Sequence, residues 1–145
     1  MESHPTSVLD HIYLDVSDYD RSKAFFARAL APMDIGLVME RERVACFGRG
    51  QRPELWIRSS LARPLDPCGS TTRQTPDETH VISPIHVAVG ATSKDEVDRF
   101  YREALAAGGR DNGAPGLHPE YHPTYYSAFV LDPDGHNVEA VFHGL

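Results

Sequence analysis

An internal repeat at an offset of 75 residues is the strongest constraint on the fold of this chain. The segment His11–Leu14 (HIYL) aligns without a gap with His86–Val89 (HVAV), and Phe25–Phe26 aligns with Phe100–Tyr101. In each copy, an alternating segment that begins with histidine leads into apolar residues at helical spacing. This pattern predicts a strand followed by an amphipathic helix. The chain is therefore expected to consist of two similar halves.

The composition is that of a globular protein. Of the 145 residues, 41% are hydrophobic and 24% are charged, which suits one compact domain. The net charge of -7 argues against nucleic acid and anionic membrane surfaces as partners, because both need basic patches. No apolar run is long enough to span a bilayer, and the first five residues do not resemble a signal peptide. Two cysteines, Cys46 and Cys68, make no disulfide framework, so we expect reduced thiols in a cytoplasmic protein.

Each half is predicted to follow the order β-α-β-β-β. In the first half, strands are expected at residues 9–16, 37–47 and 54–60, and a helix begins near 17–20 and ends before Pro32. In the second half, Ser93–Glu96 fits a capping box that begins a helix. Strands are expected at 116–122, 125–131 and 137–142, and the last two are joined by the turn sequence Asp132–Gly135.

The composition of the region between the halves predicts a long loop. From residue 59 to about 79 the chain is rich in Pro, Ser, Thr, Gly and Asp and shows no periodicity. A loop of this length in a compact domain is usually a functional lid or disordered. We expect a single domain over 1–145, with a first module at 8–60, a linker loop at 61–79 and a second module at 80–145.

Two histidines and two carboxylates suggest a metal site. His11 and His86 occupy the same place in the two copies and lie on the strand face opposite the aliphatic residues. Glu139 lies among apolar residues of the last strand, where a carboxylate needs a partner or a cation. Glu54, which follows Pro53 at a strand edge, is either a further ligand or a solvated side chain. Mixed imidazole and carboxylate ligation suits a divalent transition metal that keeps a position for water or substrate.

Three segments resemble the vicinal oxygen chelate superfamily, which includes glyoxalase I, methylmalonyl-CoA epimerase, extradiol dioxygenases and the bleomycin and fosfomycin resistance proteins. They are Asp10–Val16, His86–Val89 and Phe129–Glu139, the last of which contains the Asp-Pro-Asp-Gly turn. The resemblance implies an α/β (α+β) fold in which two βαβββ modules form a curved, incomplete barrel around a central pocket. The turn motif is specific for the fold and much less specific for the reaction.

The resemblance also implies a set of metal ligands. In glyoxalase I-like members the ligands come from the first and last strand of each module, and they correspond here to His11, Glu54, His86 and Glu139. The metal would be Zn, Ni, Co, Mn or Fe. In extradiol dioxygenase-like members the set would be His11, His86 and Glu139 with Fe(II), and bleomycin-binding members contain no metal. A homodimer is implied as well, with the pocket either inside one chain or shared between two.

The favoured function is that of a metal-dependent lyase or isomerase of glyoxalase type, which acts on a small carbonyl compound through an enediolate-like intermediate. In this interpretation Glu139 is the general base and Glu54 is the partner carboxylate. Two alternatives remain open at this point. One is an extradiol-type ring-cleaving dioxygenase that uses Fe(II), and the other is a non-catalytic small-molecule binding protein of the bleomycin resistance type.

Several side chains are expected to contact the substrate. The segment Leu117–Pro123 places histidine, glutamate and histidine at alternating positions, but its two prolines make a regular strand doubtful, so we expect it to form the rim of the pocket. The predicted substrate-binding residues are Tyr13, Trp56, Glu120, His122, Tyr125 and Phe129.

Overall fold

The computed structural model describes residues 7–60 and 82–144. They form a mixed α+β fold whose two modules follow the predicted order. The first module contains β1 (Ile12–Val16), α1 (Tyr19–Leu30), β2 (Gly36–Arg41), β3 (Val44–Gly48) and β4 (Leu55–Ser59). The second contains β5 (His86–Gly90), α2 (Lys94–Ala106), β6 (Arg110–Leu117), β7 (Tyr126–Leu131) and β8 (Asn137–Phe142).

Each module contributes its own four-stranded sheet. The strand orders are β1-β4-β3-β2 and β5-β8-β7-β6, so the two sheets have the same topology. The first strand of each module pairs in parallel with the last, and the remaining pairs are antiparallel. The described strands form no closed barrel. The predicted α+β class with two βαβββ modules is confirmed.

Some predictions lie outside the described residues. These are the linker loop at 61–79 and the reduced state of Cys68. The division into one domain with module boundaries at 8–60 and 80–145 stays a prediction. Within the described ranges, no helix is long and apolar enough to cross a bilayer.

Both helices begin at side-chain caps. The Asp18 carboxylate accepts a hydrogen bond from the backbone N–H of Arg21 at 3.1 Å. The Ser93 hydroxyl accepts one from the backbone N–H of Glu96 at 3.1 Å, while the Glu96 carboxylate accepts from the backbone N–H of Thr92. The predicted N-cap at Ser93, with Glu96 reaching back, is thus confirmed. The two bonds satisfy one backbone donor of the first turn and one that lies just before the N-cap.

The helices cover one face of each sheet, and the apolar side chains between them form one cluster. It includes Leu14, Phe25 and Phe26 from the first module and Val97, Phe100 and Val130 from the second. Side chains alternate along a strand, so the residues between these core positions turn to the opposite faces of the sheets. Those faces carry the candidate site.

Two strand predictions differ from the structure. The segment predicted as one strand at 37–47 is a hairpin of β2 and β3, and Arg43 adopts a positive φ of 63° at the turn. Without glycine, proline or asparagine, this turn has no sequence signal. The strand predicted at 116–122 is instead β6, which ends at Leu117, because Pro119 and Pro123 cannot donate to a sheet ladder.

Side chains at the junction hold the two modules together. Buried His136 donates from Nε2 to the carbonyl oxygen of Asp15 at 2.8 Å and accepts at Nδ1 from the backbone N–H of Ile85 at 3.1 Å. At the other end, Arg49 donates to the carbonyl oxygen of Gly90. The carboxyl end of β1 therefore lies beside the amino end of β5, and these two edge strands run in opposite directions along the junction.

Candidate functional site

The face of the second sheet that turns away from α2 carries most of the predicted chemistry. Val138 and Ala140 point into the core, so Glu139 between them points to the other side. We call this surface the histidine face. Its residues are His86, His118, Tyr125, Phe129 and Glu139.

Glu139 and His86 form a close pair on this face. Strands β5 and β8 are parallel, with Ala88 opposite Glu139, which brings the two side chains together. The distance from His86 Nε2 to Glu139 Oε2 is 2.8 Å. The Glu139 side chain is 3% exposed and that of His86 is 53% exposed. A carboxylate so deeply buried needs strong hydrogen bonds, and His86 supplies one of them.

Tyr125 supplies the second hydrogen bond. Its hydroxyl donates to Oε1 of Glu139. Burial and this bond to the carboxylate raise the pKa of Tyr125 above its ordinary value, so the phenol stays protonated and remains a donor. Both oxygens of Glu139 are therefore held in fixed directions.

His118 lies next to Tyr125 and Phe129 on the histidine face. Its backbone N–H donates to the carbonyl oxygen of Tyr125 at 2.8 Å, and its ring packs edge to face on Phe129 with the centroids 5.5 Å apart. The Phe129 ring also contacts His86, at 6.0 Å between centroids. The sequence placed His118, Glu120 and His122 at the pocket rim, as contacts of the substrate or a metal, but His118 is not among the predicted substrate-binding residues. The flanking prolines hide which side chains of the motif turn inward.

The two predicted substrate contacts in this motif have other partners. Glu120 Oε1 lies 3.1 Å from His118 Nδ1. A backbone amide and then His118 hold the pKa of Glu120 below its usual range. His122 Nε2 lies 2.7 Å from His143 Nδ1, and the two rings stack.

The matching face of the first sheet is aromatic. Tyr13 and Trp56 are partners in the β1–β4 register, and their rings stack with centroids 5.4 Å apart and planes 13° apart. The guanidinium of Arg58 lies 5.3 Å from the centre of the Tyr13 ring and bonds to Asp15 at 3.1 Å. We call this surface the aromatic face. Cys46 lies beside Trp56 in the sheet, and burial raises the pKa of its thiol to about 11.

His11 and Glu54 lie together at the end of this sheet. The backbone N–H of Ile12 donates to the carbonyl oxygen of Glu54 at 2.9 Å, so the two residues are neighbours just outside the regular strands. The His11 Nδ1 atom is 2.6 Å from Asp10, and Glu54 is 3.0 Å from Arg52. Their side chains are 47% and 45% exposed.

One chain does not assemble the complete predicted ligand set. Among the residues at 7–60 and 82–144, no three His, Cys, Asp or Glu side chains converge in a way that could hold a metal ion. His11 precedes β1 and His86 begins β5, so they lie at opposite ends of the module junction, and a five-residue strand spans about 16 Å. The structure thus unites His86 with Glu139 and leaves His11 and Glu54 apart from them.

The His86–Glu139 pair nevertheless fits one edge of a metal site. Imidazole nitrogen and carboxylate oxygen bind a divalent transition metal at about 2.1 Å, and two neighbouring ligands of an octahedral site are then about 3 Å apart. The separation of 2.8 Å between Nε2 and Oε2 is close to that value. The hydrogen bond from the Tyr125 hydroxyl to Oε1 of Glu139 is of the kind that orients a metal-binding carboxylate.

The family follows from a comparison with known sequences. The model of the Glyoxalase/Bleomycin resistance protein/Dioxygenase superfamily matches residues 8–140. The chain belongs to this superfamily. No curated protein sequence matches the chain significantly.

Solved structures of this superfamily share the fold. A glyoxalase/bleomycin resistance protein from Albidiferax ferrireducens T118 has a TM-score of 0.71 and 21% identity, covering 94% of this chain and 99% of that one. A glyoxalase-related enzyme from Fulvimarina pelagi has a TM-score of 0.67 and 20% identity, covering 95% and 88%. A lactoylglutathione lyase from Agrobacterium tumefaciens has a TM-score of 0.63 and 20% identity, covering 96% and 95%. At such identities the likeness concerns the fold of the superfamily alone.

Proposed function

We propose that this chain is a metal-dependent lyase or isomerase of glyoxalase type that acts on a small carbonyl compound. The observation that carries the proposal is the His86–Glu139 pair, in which a nearly buried carboxylate oxygen lies 2.8 Å from an imidazole nitrogen. Such a pair provides two ligands for a divalent transition metal (Zn, Ni, Co, Mn or Fe). When bound, the metal would polarise a carbonyl oxygen as a Lewis acid.

We propose that a second copy of the chain completes the site. His11 and Glu54 are backbone neighbours at the opposite end of the module junction from the His86–Glu139 pair, and their side chains bond to Asp10 and Arg52. In a symmetric homodimer, His11 and Glu54 of one protomer would meet the His86–Glu139 pair of the other. The side chains of His11, Glu54 and His86 are about half exposed, which supports this arrangement, since each can still contact a second protomer or a metal.

In this proposal Glu139 takes the proton from the carbon next to the carbonyl group. A carboxylate has about four lone-pair directions. Tyr125 uses one on Oε1, and a bound metal would take the place of the His86 contact on Oε2. The remaining directions can accept the substrate proton. Because both oxygens are held in place, little reorganisation is needed at the moment of transfer. Phe129 would pack against the apolar part of the substrate.

Elemental analysis tests the proposal. Protein purified without chelators or added metal is expected to contain a divalent transition metal in stoichiometric amount. His86→Ala should abolish this binding and leave the fold intact by circular dichroism. His143→Ala is the matched control, because it removes an exposed histidine just after β8 that is outside the ligand set. Unchanged metal content in His86→Ala would contradict the proposal.

A second candidate function is non-catalytic binding of a planar aromatic ligand. The stacked, partly exposed Tyr13–Trp56 pair favours it, because aromatic rings on a sheet face offer a stacking surface. Trp56 is the only tryptophan, so its fluorescence reports directly on this face. Tight quenching by planar ligands in protein that contains no metal would favour binding over catalysis. Iron accompanied by oxygen consumption would instead indicate ring cleavage.

A further inference from the structure

Within residues 7–60 and 82–144, the imidazole of His118 has one nitrogen with a hydrogen-bond partner and one without. Nδ1 lies 3.1 Å from Oε1 of Glu120. Nε2 is buried and has no hydrogen-bond partner among the residues that the structure describes. A buried polar atom without a partner is costly, and in a binding pocket such an atom commonly awaits a ligand group.

The partner of Nδ1 determines the chemistry of Nε2. Glu120 has a lowered pKa and is ionised near neutral pH, so it can only accept. The Nδ1 atom of His118 must therefore carry the proton that points at Glu120. In a neutral imidazole the other nitrogen then holds a lone pair, which makes Nε2 a hydrogen-bond acceptor. A carboxylate that orients a histidine in this way is a familiar arrangement at catalytic and recognition sites.

His118 shares its surroundings with the proposed base. Its ring contacts Phe129, which in turn contacts His86, and its backbone bonds to Tyr125, whose hydroxyl reaches Glu139. Two other buried polar atoms, Ser127 Oγ and Asn137 Oδ1, belong to strands β7 and β8 of this sheet and have no hydrogen-bond partner in the described part of the chain. By strand alternation they also turn away from the core. The histidine face thus concentrates unmet hydrogen-bonding capacity beside Glu139.

We propose that His118 Nε2 accepts a hydrogen bond from a hydroxyl or N–H group of the ligand, and that Glu120 is the positioning residue that keeps His118 in the required tautomer. This rests on the proposed function and narrows its substrate class to carbonyl compounds with a donor group near the carbonyl. A site built around such an acceptor discriminates against an analogue that lacks the donor, because the acceptor then stays buried and unpaired.

Two ketones of equal size test the proposal. Hydroxyacetone and butanone have the same number of heavy atoms and differ in a terminal hydroxyl versus a methyl group. In the full-length protein, nitrogen NMR of the histidine side chains, assigned with His118→Gln, should show His118 protonated at Nδ1 and unprotonated at Nε2. Hydroxyacetone should shift the Nε2 signal and bind about tenfold more tightly than butanone, the usual effect of one neutral hydrogen bond.

Variants separate this role from a structural one. Glu120→Gln should mix the two tautomers of His118 and reduce the preference for hydroxyacetone, while Glu120→Asp should restore part of it, with butanone binding and thermal stability unchanged in both. A proton on Nε2 in the unmodified protein would overturn the proposal. So would an equal response to both ketones, including no response to either.

The same measurements distinguish this proposal from the metal proposal. His86→Ala should lose metal and keep the preference for hydroxyacetone over butanone. His118→Gln should keep metal and lose the preference. If the unmodified protein binds no metal but shows the expected tautomer and the preference for hydroxyacetone, the result contradicts only the lyase or isomerase proposal.

Discussion

The two modules share a backbone plan and differ in what they place on the faces turned away from the helices. In the first module, Tyr13 on β1 lies opposite Trp56 on β4, and the rings stack. At the position 75 residues later, Ala88 on β5 lies opposite Glu139 on β8, and a small side chain leaves room for the carboxylate and His86. One duplicated scaffold thus presents an aromatic face and a histidine face.

The difference shows that strand register, and not local sequence likeness, defines equivalent positions. Glu54-Leu55 and Glu139-Ala140 look alike in the sequence. The register nevertheless makes Trp56 the counterpart of Glu139, whereas Glu54 is the counterpart of Asn137 and precedes its strand. The two carboxylates therefore differ in burial and in rigidity, although the resemblance assigns them the same role.

The largest expected effect concerns the core that the modules share. Phe25 and Phe100 are equivalent by the repeat, and both are fully buried in one cluster. Phe25→Ala and Phe100→Ala should each lower the free energy of unfolding by about 3–5 kcal/mol. Denaturant unfolding should remain a single transition in both variants. Two transitions would show that the modules unfold independently and do not share one core.

The next effect separates the two carboxylates. Glu139→Gln should weaken metal binding about 100-fold, or about 2.7 kcal/mol, because it removes a preoriented charge. Glu54→Gln should weaken it about tenfold, since Glu54 is half exposed and already paired with Arg52. Isothermal titration of each protein with zinc measures both constants. Equal losses would mean that the dimer orders Glu54 as firmly as the strand orders Glu139.

A smaller effect is expected at the junction between the modules. His136→Leu removes the hydrogen bonds to the carbonyl oxygen of Asp15 and the N–H of Ile85. Leaving these backbone groups without partners should cost about 1–3 kcal/mol of stability. Chemical denaturation measures the loss, and His143→Leu, at an exposed histidine, serves as the control. If both variants are equally stable, the junction does not depend on His136.

The smallest effect compares the helix starts. Asp18→Ala and Ser93→Ala each remove one cap and should each destabilise the protein by about 1 kcal/mol. The loss at Asp18 should be the greater, because Ser93→Ala leaves the bond from Thr92 to Glu96 in place, whereas Asp18→Ala also removes a negative charge from the start of its helix. Thermal melting of the two variants ranks them. A larger loss at Ser93 would show that the bond from Thr92 to Glu96 contributes little.

Local patterns predicted much of the fold. Alternation located β1, β5 and β8, helical spacing located both helices, and Asp132–Gly135 marked the last hairpin. The prediction failed where the local signal was weak or misleading. The β2–β3 turn at Arg43 contains no turn residue, and the prolines of the 117–123 segment displaced the strand and concealed the inward turn of His118.

The candidate site was predictable only in part. The repeated histidines and Glu139 were evident because they interrupt apolar alternation. The bond from Tyr125 to Glu139 and the distance between the two modules' ligand pairs depend on contacts between residues far apart in the chain. The pairing of Glu120 with His118 depends on the turn in which the backbone N–H of Tyr121 donates to the carbonyl oxygen of His118. Nothing in their local sequence specifies these partners.

The two-module plan, the positions of most helices and strands and the chemically distinctive side chains can be predicted from the amino-acid sequence, because these follow from periodicity and capping within short segments. Which of those side chains share a surface becomes known from the folded chain. That depends on strand register and on how the two sheets meet at His136 and Arg49, where a shift of a single residue would turn every side chain to the other face.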